Sequence, residues 1–237
     1  MLPVAERRRE AIGGYLDVAA PDVLVLTETH DSLDSGLPYV HSSAEGRDGY
    51  ERHRDGHRWV SISSRYPMEP LVVRDERRSV AARVCPGRDD PFIAFGTVLP
   101  WLGSPWREYE SAGGVAFREA LSVQEADWMA LRSAYPDDEF FLMGDFNQDL
   151  VTPSYYGSRA NRDALEAALA AAGLVALTAG AGDPIRRDLT TYACIDHICA
   201  RADSKWDVEA TSKWPQTNAP LRWMSDHFGV GVELSRR

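Results

Sequence analysis

The chain has 237 residues, 44% hydrophobic and 10% aromatic, which is enough apolar material for one large core, so a single domain over residues 1–237 is expected. Its 26 Lys and Arg against 36 Asp and Glu leave a net charge of −10, which argues against non-specific binding to duplex DNA and favours small phosphate esters or a metal-bridged substrate. Three scattered cysteines exclude a disulfide framework, no apolar run approaches the ~20 residues of a membrane span, and no secretory signal is legible ahead of Glu6-Arg7-Arg8-Arg9-Glu10, so a cytoplasmic protein is the expectation.

Residues 3–18 read as an amphipathic helix, with Val4, Ala11, Ile12, Tyr15, Leu16 and Ala19 on one face and the arginines on the other. Ala20-Pro21-Asp22 stops it. Val23-Leu24-Val25-Leu26-Thr27-Glu28 follows, an unbroken apolar run of the kind buried on both faces of a sheet, ending in a carboxylate. Residues 31–57 are rich in Asp, Ser, Gly, Arg and His and read as a long surface loop, in which His41, His53 and His57 show no ligand spacing. Trp59-Val60-Ser61-Ile62 is a short strand. Residues 71–73, 79–84 and 92–98 read as an antiparallel meander, joined by the charged 75–78 segment and the Pro- and Gly-containing turn at 86–91. Residues 100–114 form a loop with Trp101, Trp106 and Tyr109, aromatics that suit stacking on a base or sugar as well as plain packing. Phe117, Leu121, Gln124, Trp128, Leu131 and Tyr135 then recur at spacings of four and three, one face of a helix.

Phe140-Phe141-Leu142-Met143 is a second unbroken apolar run, and it ends in Gly144-Asp145-Phe146-Asn147. Gly followed by Asp turns the chain sharply out of its sheet, which sets a carboxylate and, two residues on, a carboxamide at the rim of a core. That pair suits phosphoryl chemistry: Asp145 can orient or deprotonate a water and Asn147 can hydrogen-bond a phosphate oxygen, although ordinary turn residues have the same sequence. Asn161 is expected to cap a helix carrying Leu165, Ala168, Leu169 and Ala172, closed by Gly173, with a strand at 174–177. Residues 192–200 read as an apolar strand interrupted by Asp196-His197, with Cys194 and Cys199 as buried free thiols. An ionised carboxylate there costs several kcal/mol unless paired; His227 is one candidate partner, the adjacent His197 or an arginine another. Ser225-Asp226-His227 precedes the last strand, residues 228–234. Glu28 and Asp226, with water and a substrate oxygen, would suit Mg²⁺, which would offset the charge of an approaching phosphate. Helices between doubly buried strands, with an antiparallel meander in the middle, point to two packed sheets with helices outside, an α/β sandwich.

Leu26-Thr27-Glu28, Gly144-Asp145-Phe146-Asn147, Ile195-Asp196-His197 and Ser225-Asp226-His227, in this order, resemble the motifs of the endonuclease/exonuclease/phosphatase superfamily. That group includes proteins similar to DNase I, exonuclease III-type repair nucleases, sphingomyelinases and inositol-phosphate 5-phosphatases. The resemblance spans nearly the whole chain. It implies a four-layer α/β/β/α sandwich, DNase I-like, of two mixed, mostly antiparallel sheets. It also implies a hydrolase of phosphodiesters or phosphomonoesters that depends on Mg²⁺, with Mn²⁺ as the alternative ion. Glu28 would ligate the metal and Asp226 would support it directly or through water. Asp145 would activate the attacking water, and Asn147 would hold that water or a phosphate oxygen. Asp196 would pair with His227, which would contact the scissile phosphate. Single-stranded nucleic acid or a nucleotide is a candidate substrate, and a monomer is the expected state.

Two departures stand out. The family usually opens with a strand bearing Trp-Asn or Tyr-Asn, whose Asn belongs to the active site, whereas this sequence begins at the helix that follows. Read as complete, it leaves a central strand position vacant and a neighbouring strand without a ladder partner. Gly96-Thr97-Val98-Leu99 also lies where the family commonly has Thr-His-Leu, and Val98 cannot donate a hydrogen bond. Loss of one such donor can cost roughly 10²–10³ in rate. His30, two residues past Glu28, is the candidate to compensate. These departures keep a second reading open: a catalytically impaired relative acting as a binding or scaffold protein.

Overall fold

The two unbroken apolar runs become strands of two facing sheets. The computed structural model describes residues 2–46, 55–87, 90–109, 114–151, 155–189 and 191–237. In chain order its elements are α1 (Leu2–Ala19), β1 (Val23–His30), β2 (Tyr39–Ser42), β3 (His57–Ser64), β4 (Met68–Leu71), β5 (Ser79–Val84) and β6 (Phe92–Val98). Then come α2 (Val115–Ala134), β7 (Glu139–Asp145), α3 (Arg159–Ala171), β8 (Leu174–Ala176), α4 (Pro184–Asp188), β9 (Asp196–Arg201), β10 (Trp206–Trp214) and β11 (Gly229–Arg236).

Six strands form one sheet in the order β4-β5-β6-β7-β9-β8. The expected meander is β4-β5-β6, antiparallel throughout. β6 and β7 are parallel, and α2 makes the crossover that a parallel pair requires. β7 sits inside the sheet with Phe140, Phe141 and Leu142 buried, each worth roughly 1.5–3 kcal/mol on burial. Phe140 and Leu142 face α2 and α3, where Phe117, Leu121, Trp128, Leu165 and Leu169 complete a core. The other face of the sheet meets the second layer through Trp59, Val60, Ile62, Val80, Ala94 and Val98. Gly96 permits this close approach: a Cβ there would lie 2.7 Å from Val60 Cγ2. Two sheets with helices outside are the architecture that the resemblance implied.

The second layer is in two pieces, a sheet ordered β1-β3-β2 and the β10-β11 hairpin. Among the described residues β1 is paired with β3 alone and β11 with β10 alone, so one edge of each faces an open groove. Of the apolar run of β1 only Leu24 is buried; Val23, Val25 and Leu26 are half-buried. α1 lies across the groove: Arg9 donates to Ser32 Oγ at 3.1 Å beyond β1, and Tyr15 stacks on Trp214 of β10 with ring centroids 6.1 Å apart.

Several local expectations need correction. The 31–57 segment is not wholly loop, since it holds β2 and the start of β3; His41 and His57 are strand residues, and His53 lies outside the described residues. The strand expected at 71–73 is β4 instead, and Val72 stands in solvent. Ser158, not Asn161, caps α3: its side chain accepts from the Asn161 N–H at 3.2 Å, while Asn161 is buried inside the helix beside Arg118. Serine caps as well as asparagine, and it stands three positions earlier at the end of the Gly157 turn. Gly173 does close the helix, with φ of 61°. The 192–200 strand begins only at Asp196, because the Cys194 N–H is taken by the Asp183 carboxylate at 3.0 Å rather than by a ladder. Cys194 and Cys199 are buried free thiols. β10 was not legible as a strand, and no described helix is long and apolar enough to cross a membrane.

Candidate active site

β7 ends at a turn that only glycine allows. Gly144 has φ of 135°, and a Cβ there would run into the Thr97 carbonyl oxygen of β6. The turn leaves Asp145 directly opposite Asp196 of β9. Two carboxylates facing each other across a ladder destabilise it unless one is neutralised. Two groups offset that repulsion.

The first is Asn147. Its backbone N–H donates to Asp145 Oδ1 at 2.8 Å, and its Nδ2 donates to Asp145 Oδ2 at 2.8 Å and to the Leu99 carbonyl at 2.9 Å. Asn147 reaches this geometry with φ of 48°, a left-handed conformation that asparagine tolerates because its side chain bonds locally. The second is His227, whose Nδ1 lies 2.8 Å from Asp196 Oδ2. The Asp196 charge holds the imidazole protonated against the opposing effect of burial. Asp145 and Asp226 add to it, and the His227 pKa rises to about 10. Asp145 is moved by its own surroundings: burial first, then the charges of Asp196 and Glu28, push its carboxyl well above the usual range, while His227 and the Asn147 N–H pull it back.

The adjacent His197 is not the partner of Asp196. It is buried, its Nε2 lies 3.1 Å from the Gln148 carbonyl and its Nδ1 3.3 Å from Thr178 Oγ1. Thr178 Oγ1 also accepts the Ile198 N–H, so its own proton goes to Nδ1 and the ring is the neutral Nε2–H form. Burial lowers the His197 pKa in the same sense.

Glu28, exposed near the end of β1, lines the groove, and Asp226 is exposed just before β11. The Glu28 charge reaches Asp145, and the Asp226 charge reaches His227. The six residues singled out in the sequence are thus coupled: Asn147 bonds Asp145, His227 bonds Asp196, the two carboxylates are ladder partners, and the Glu28 and Asp226 charges act on this centre. Three carboxylates, Asp196, Asp145 and Asp226, act on the His227 imidazolium and Glu28 acts on Asp145, an acidic balance that repels an anionic substrate and suits a hard divalent cation with oxygen donors. Ligand atoms of Asp145, Asp196 and His227 also lie within 4.8 Å of one another, but the His227 Nδ1 is committed to Asp196 as a donor.

Val98 is fully buried in the core between the sheets. His30 is committed to its own turn, with Nδ1 accepting the Ser32 N–H at 3.0 Å and its ring edge-on to His57 at 5.2 Å. Trp106 is packed rather than displayed: it is buried, stacked on Tyr109 at 5.8 Å, and donates from Nε1 to Asp75 at 3.2 Å. Sequence reasoning missed Asp149 and Tyr156. Buried Asp149 pairs with Arg162 at 2.9 Å and accepts the backbone N–H groups of Tyr155 and Tyr156, which folds the loop after β7 back onto the site. Burial and then the charges of Asp145, Tyr155 and Asp226 raise the Tyr156 hydroxyl above its usual range. An aromatic pair shortly after Gly-Asp-Phe-Asn was the available signal.

Known proteins place this geometry in a family. The sequence matches the Endonuclease/Exonuclease/phosphatase family over residues 5–227. No curated protein sequence matches the chain. The fold is similar to an endonuclease/exonuclease/phosphatase from Beutenbergia cavernae, with 18% identity, a TM-score of 0.65, and coverage of 96% of this chain and 66% of that one. It is similar to a mannosyl-6-phosphatase from Bacteroides thetaiotaomicron, with 16% identity, a TM-score of 0.64, and coverage of 97% and 91%. The human Nocturnin catalytic domain, solved with a bound sulfate anion, gives 13% identity, a TM-score of 0.65, and coverage of 98% and 87%. With its fold, its ordered motifs and a match over most of its length, the chain belongs to the endonuclease/exonuclease/phosphatase family.

Proposed function

We propose that the protein is a metal-dependent phosphoesterase in which water attacks phosphorus in line. The observation that carries the reading is the knot itself: a buried carboxyl with a raised pKa beside an imidazolium held by a second carboxylate. Asp145 takes the proton of the attacking water, since its raised pKa brings it nearer to neutral pH, where a general base works best. Asn147 fixes both Asp145 oxygens and so the direction from which the water is held. Asp196 orients His227 through Nδ1, leaving Nε2–H to donate to a phosphoryl oxygen as negative charge builds there. Glu28 and Asp226 would hold Mg²⁺ or Mn²⁺, which when bound supplies charge neutralisation to the phosphoryl group.

The substrate is a phosphomonoester or phosphodiester of a small molecule, nucleotide or single strand, in keeping with the net charge of −10. The whole chain acts as one domain, as a monomer in the cytoplasm. A second reading, a binding protein that has lost turnover, draws on Val98, which is an apolar core residue where the family has a donor.

The test is hydrolysis of p-nitrophenyl phosphate and bis-p-nitrophenyl phosphate with Mg²⁺, with Mn²⁺ and with EDTA, for wild type and Asp145→Ala. Metal-dependent release that disappears in the variant is expected. Equal release by both proteins, or release that survives EDTA, would overturn the assignment.

A further inference from the structure

Tyr155 is an exposed ring on a backbone that is held unusually firmly. Asp149 is buried, accepts the backbone N–H groups of Tyr155 and Tyr156, and pairs with Arg162 at 2.9 Å. Buried Gln148 holds the same turn from its other side: Nε2 donates to the Tyr156 carbonyl at 3.1 Å, and Oε1 accepts the Ser158 N–H at 3.0 Å. Two buried polar side chains are thus spent on fixing the backbone of two tyrosines. A buried carboxylate is costly unless it is paired and bonded, so this turn is held in one arrangement.

The rings carry that firmness toward the centre. Tyr155 is 43% exposed and packs on Tyr192, with centroids 5.7 Å apart. Tyr192 meets Phe228 edge-on at 5.9 Å, and buried Phe228 directly follows His227. Lys213 Nζ lies 5.3 Å from the centre of the Phe228 ring and fixes the inner end of the series. Tyr155 therefore stands two ring contacts from the residue beside the imidazole. Charges agree with this placement. Beyond burial, the Asp145 and Asp226 carboxylates act on the neighbouring Tyr156 hydroxyl. Burial and Tyr192 raise the Tyr155 hydroxyl, while the charge of exposed Arg222 opposes the rise. A half-exposed ring with a guanidinium nearby suits a flat π system, which stacks on the ring and draws on the cation. A saturated sugar is held instead by carboxylates that accept its hydroxyl protons, and Asp149, whose charge reaches Tyr155, is spent on the turn.

We propose that Tyr155 is the stacking platform for a nucleobase, so that the substrate is a nucleotide ester whose base lies on Tyr155 beside Arg222 while its phosphate lies at His227. The net charge of −10 favours one base at a time over a long polyanionic strand. Tyr155 sets specificity through the base and takes no part in proton transfer. The inference rests on the phosphoesterase reading for the position of the phosphate; the stacking is measured without turnover.

The experiment compares three diesters with one leaving group: the p-nitrophenyl esters of thymidylate, of methyl phosphate and of glucose phosphate. Wild type, Tyr155→Phe and Tyr155→Leu are assayed with Mg²⁺. Leu keeps an apolar contact with Tyr192 and removes the π face. Wild type is expected to show a KM for the thymidylate ester about five- to hundredfold below that for the methyl ester, at similar kcat. Tyr155→Phe should keep that advantage and Tyr155→Leu should lose it, with the methyl ester unaffected in both. Equal KM values in wild type, or an advantage that survives in Tyr155→Leu, would overturn the proposal. An equal advantage for the glucose ester would also overturn it, making a sugar ring the occupant. Stacking is read separately by the fluorescence of aminopurine riboside monophosphate bound to Asp145→Ala with Mg²⁺. Quenching that disappears when Tyr155→Leu is added supports the platform even if no ester is hydrolysed, in which case the phosphoesterase reading alone fails. Absent quenching, or quenching that persists without Tyr155, would overturn the inference while leaving that reading in place.

Discussion

Replacing Asp196 by Asn tests the electrostatics of the centre. The side chain keeps its shape and loses its charge, 2.8 Å from His227 Nδ1. In the wild type the imidazole is raised from 6.5 to about 10, chiefly by that charge, while burial pulls the other way. The rise corresponds to about 5 kcal/mol of preference for the charged ring; with 31% of the side chain exposed, screening reduces this to roughly 2 kcal/mol. In Asp196→Asn burial is left as the main influence, so His227 should titrate at or below 6.5 and be neutral at pH 8. The sign for stability follows. A group whose folded pKa is raised contributes fully below its unfolded value near 6.5 and loses that contribution as pH rises through about 10. The wild-type advantage over the variant should therefore be largest near pH 6 and shrink toward pH 10. The assay is NMR titration of the imidazole in EDTA, alongside thermal unfolding at pH 6, 8 and 10. An unchanged His227 titration in the variant would refute the reasoning. Turnover at pH 8 should fall far more than stability does; equal losses traceable to unfolding would take His227 out of the chemistry.

Two further perturbations probe the frame and the cation. Gly144→Ala meets both a φ of 135° and the Thr97 carbonyl, so a loss of several kcal/mol in urea unfolding is expected, and a loss below about 1 kcal/mol would show that the turn is not constrained. Glu28→Gln and Asp226→Asn each remove one exposed carboxylate whose charge reaches the centre and should weaken Mn²⁺ binding by calorimetry about tenfold or more, leaving melting in EDTA nearly unchanged; unaltered affinity in both would move the cation elsewhere.

Much of the fold was legible because burial leaves a periodic trace. Phe140 to Met143 read as an interior strand, and the Phe117 to Tyr135 stripe as a helix facing a core; both are so. Gln124 fits that stripe because its buried amide is bonded to Thr97 and Asp75. β10 was not legible, although Trp206, Val208 and Ala210 alternate with Asp207 and Glu209, because its polar face dilutes the apolar signal and two residues of a bulge break the period. The true cap of α3 was hidden by two good cap residues three positions apart. At the site, the carboxylates and His227 carried a motif, so their approach could be anticipated. Asp149 and Tyr156 carried none, because their place depends on how a loop folds back, which no local pattern encodes. The half-exposure of β1 is the informative mismatch, since a strand with interior composition stands at an edge.

The most direct measurement is hydrolysis of a phosphodiester in ¹⁸O-labelled water with Mn²⁺, read by the mass of the products. Direct attack of a water activated at Asp145 predicts one ¹⁸O in the released phosphate-bearing product and none in the alcohol, with no product from Asp145→Ala. Label in the alcohol, or the same labelled product from the variant, would contradict it.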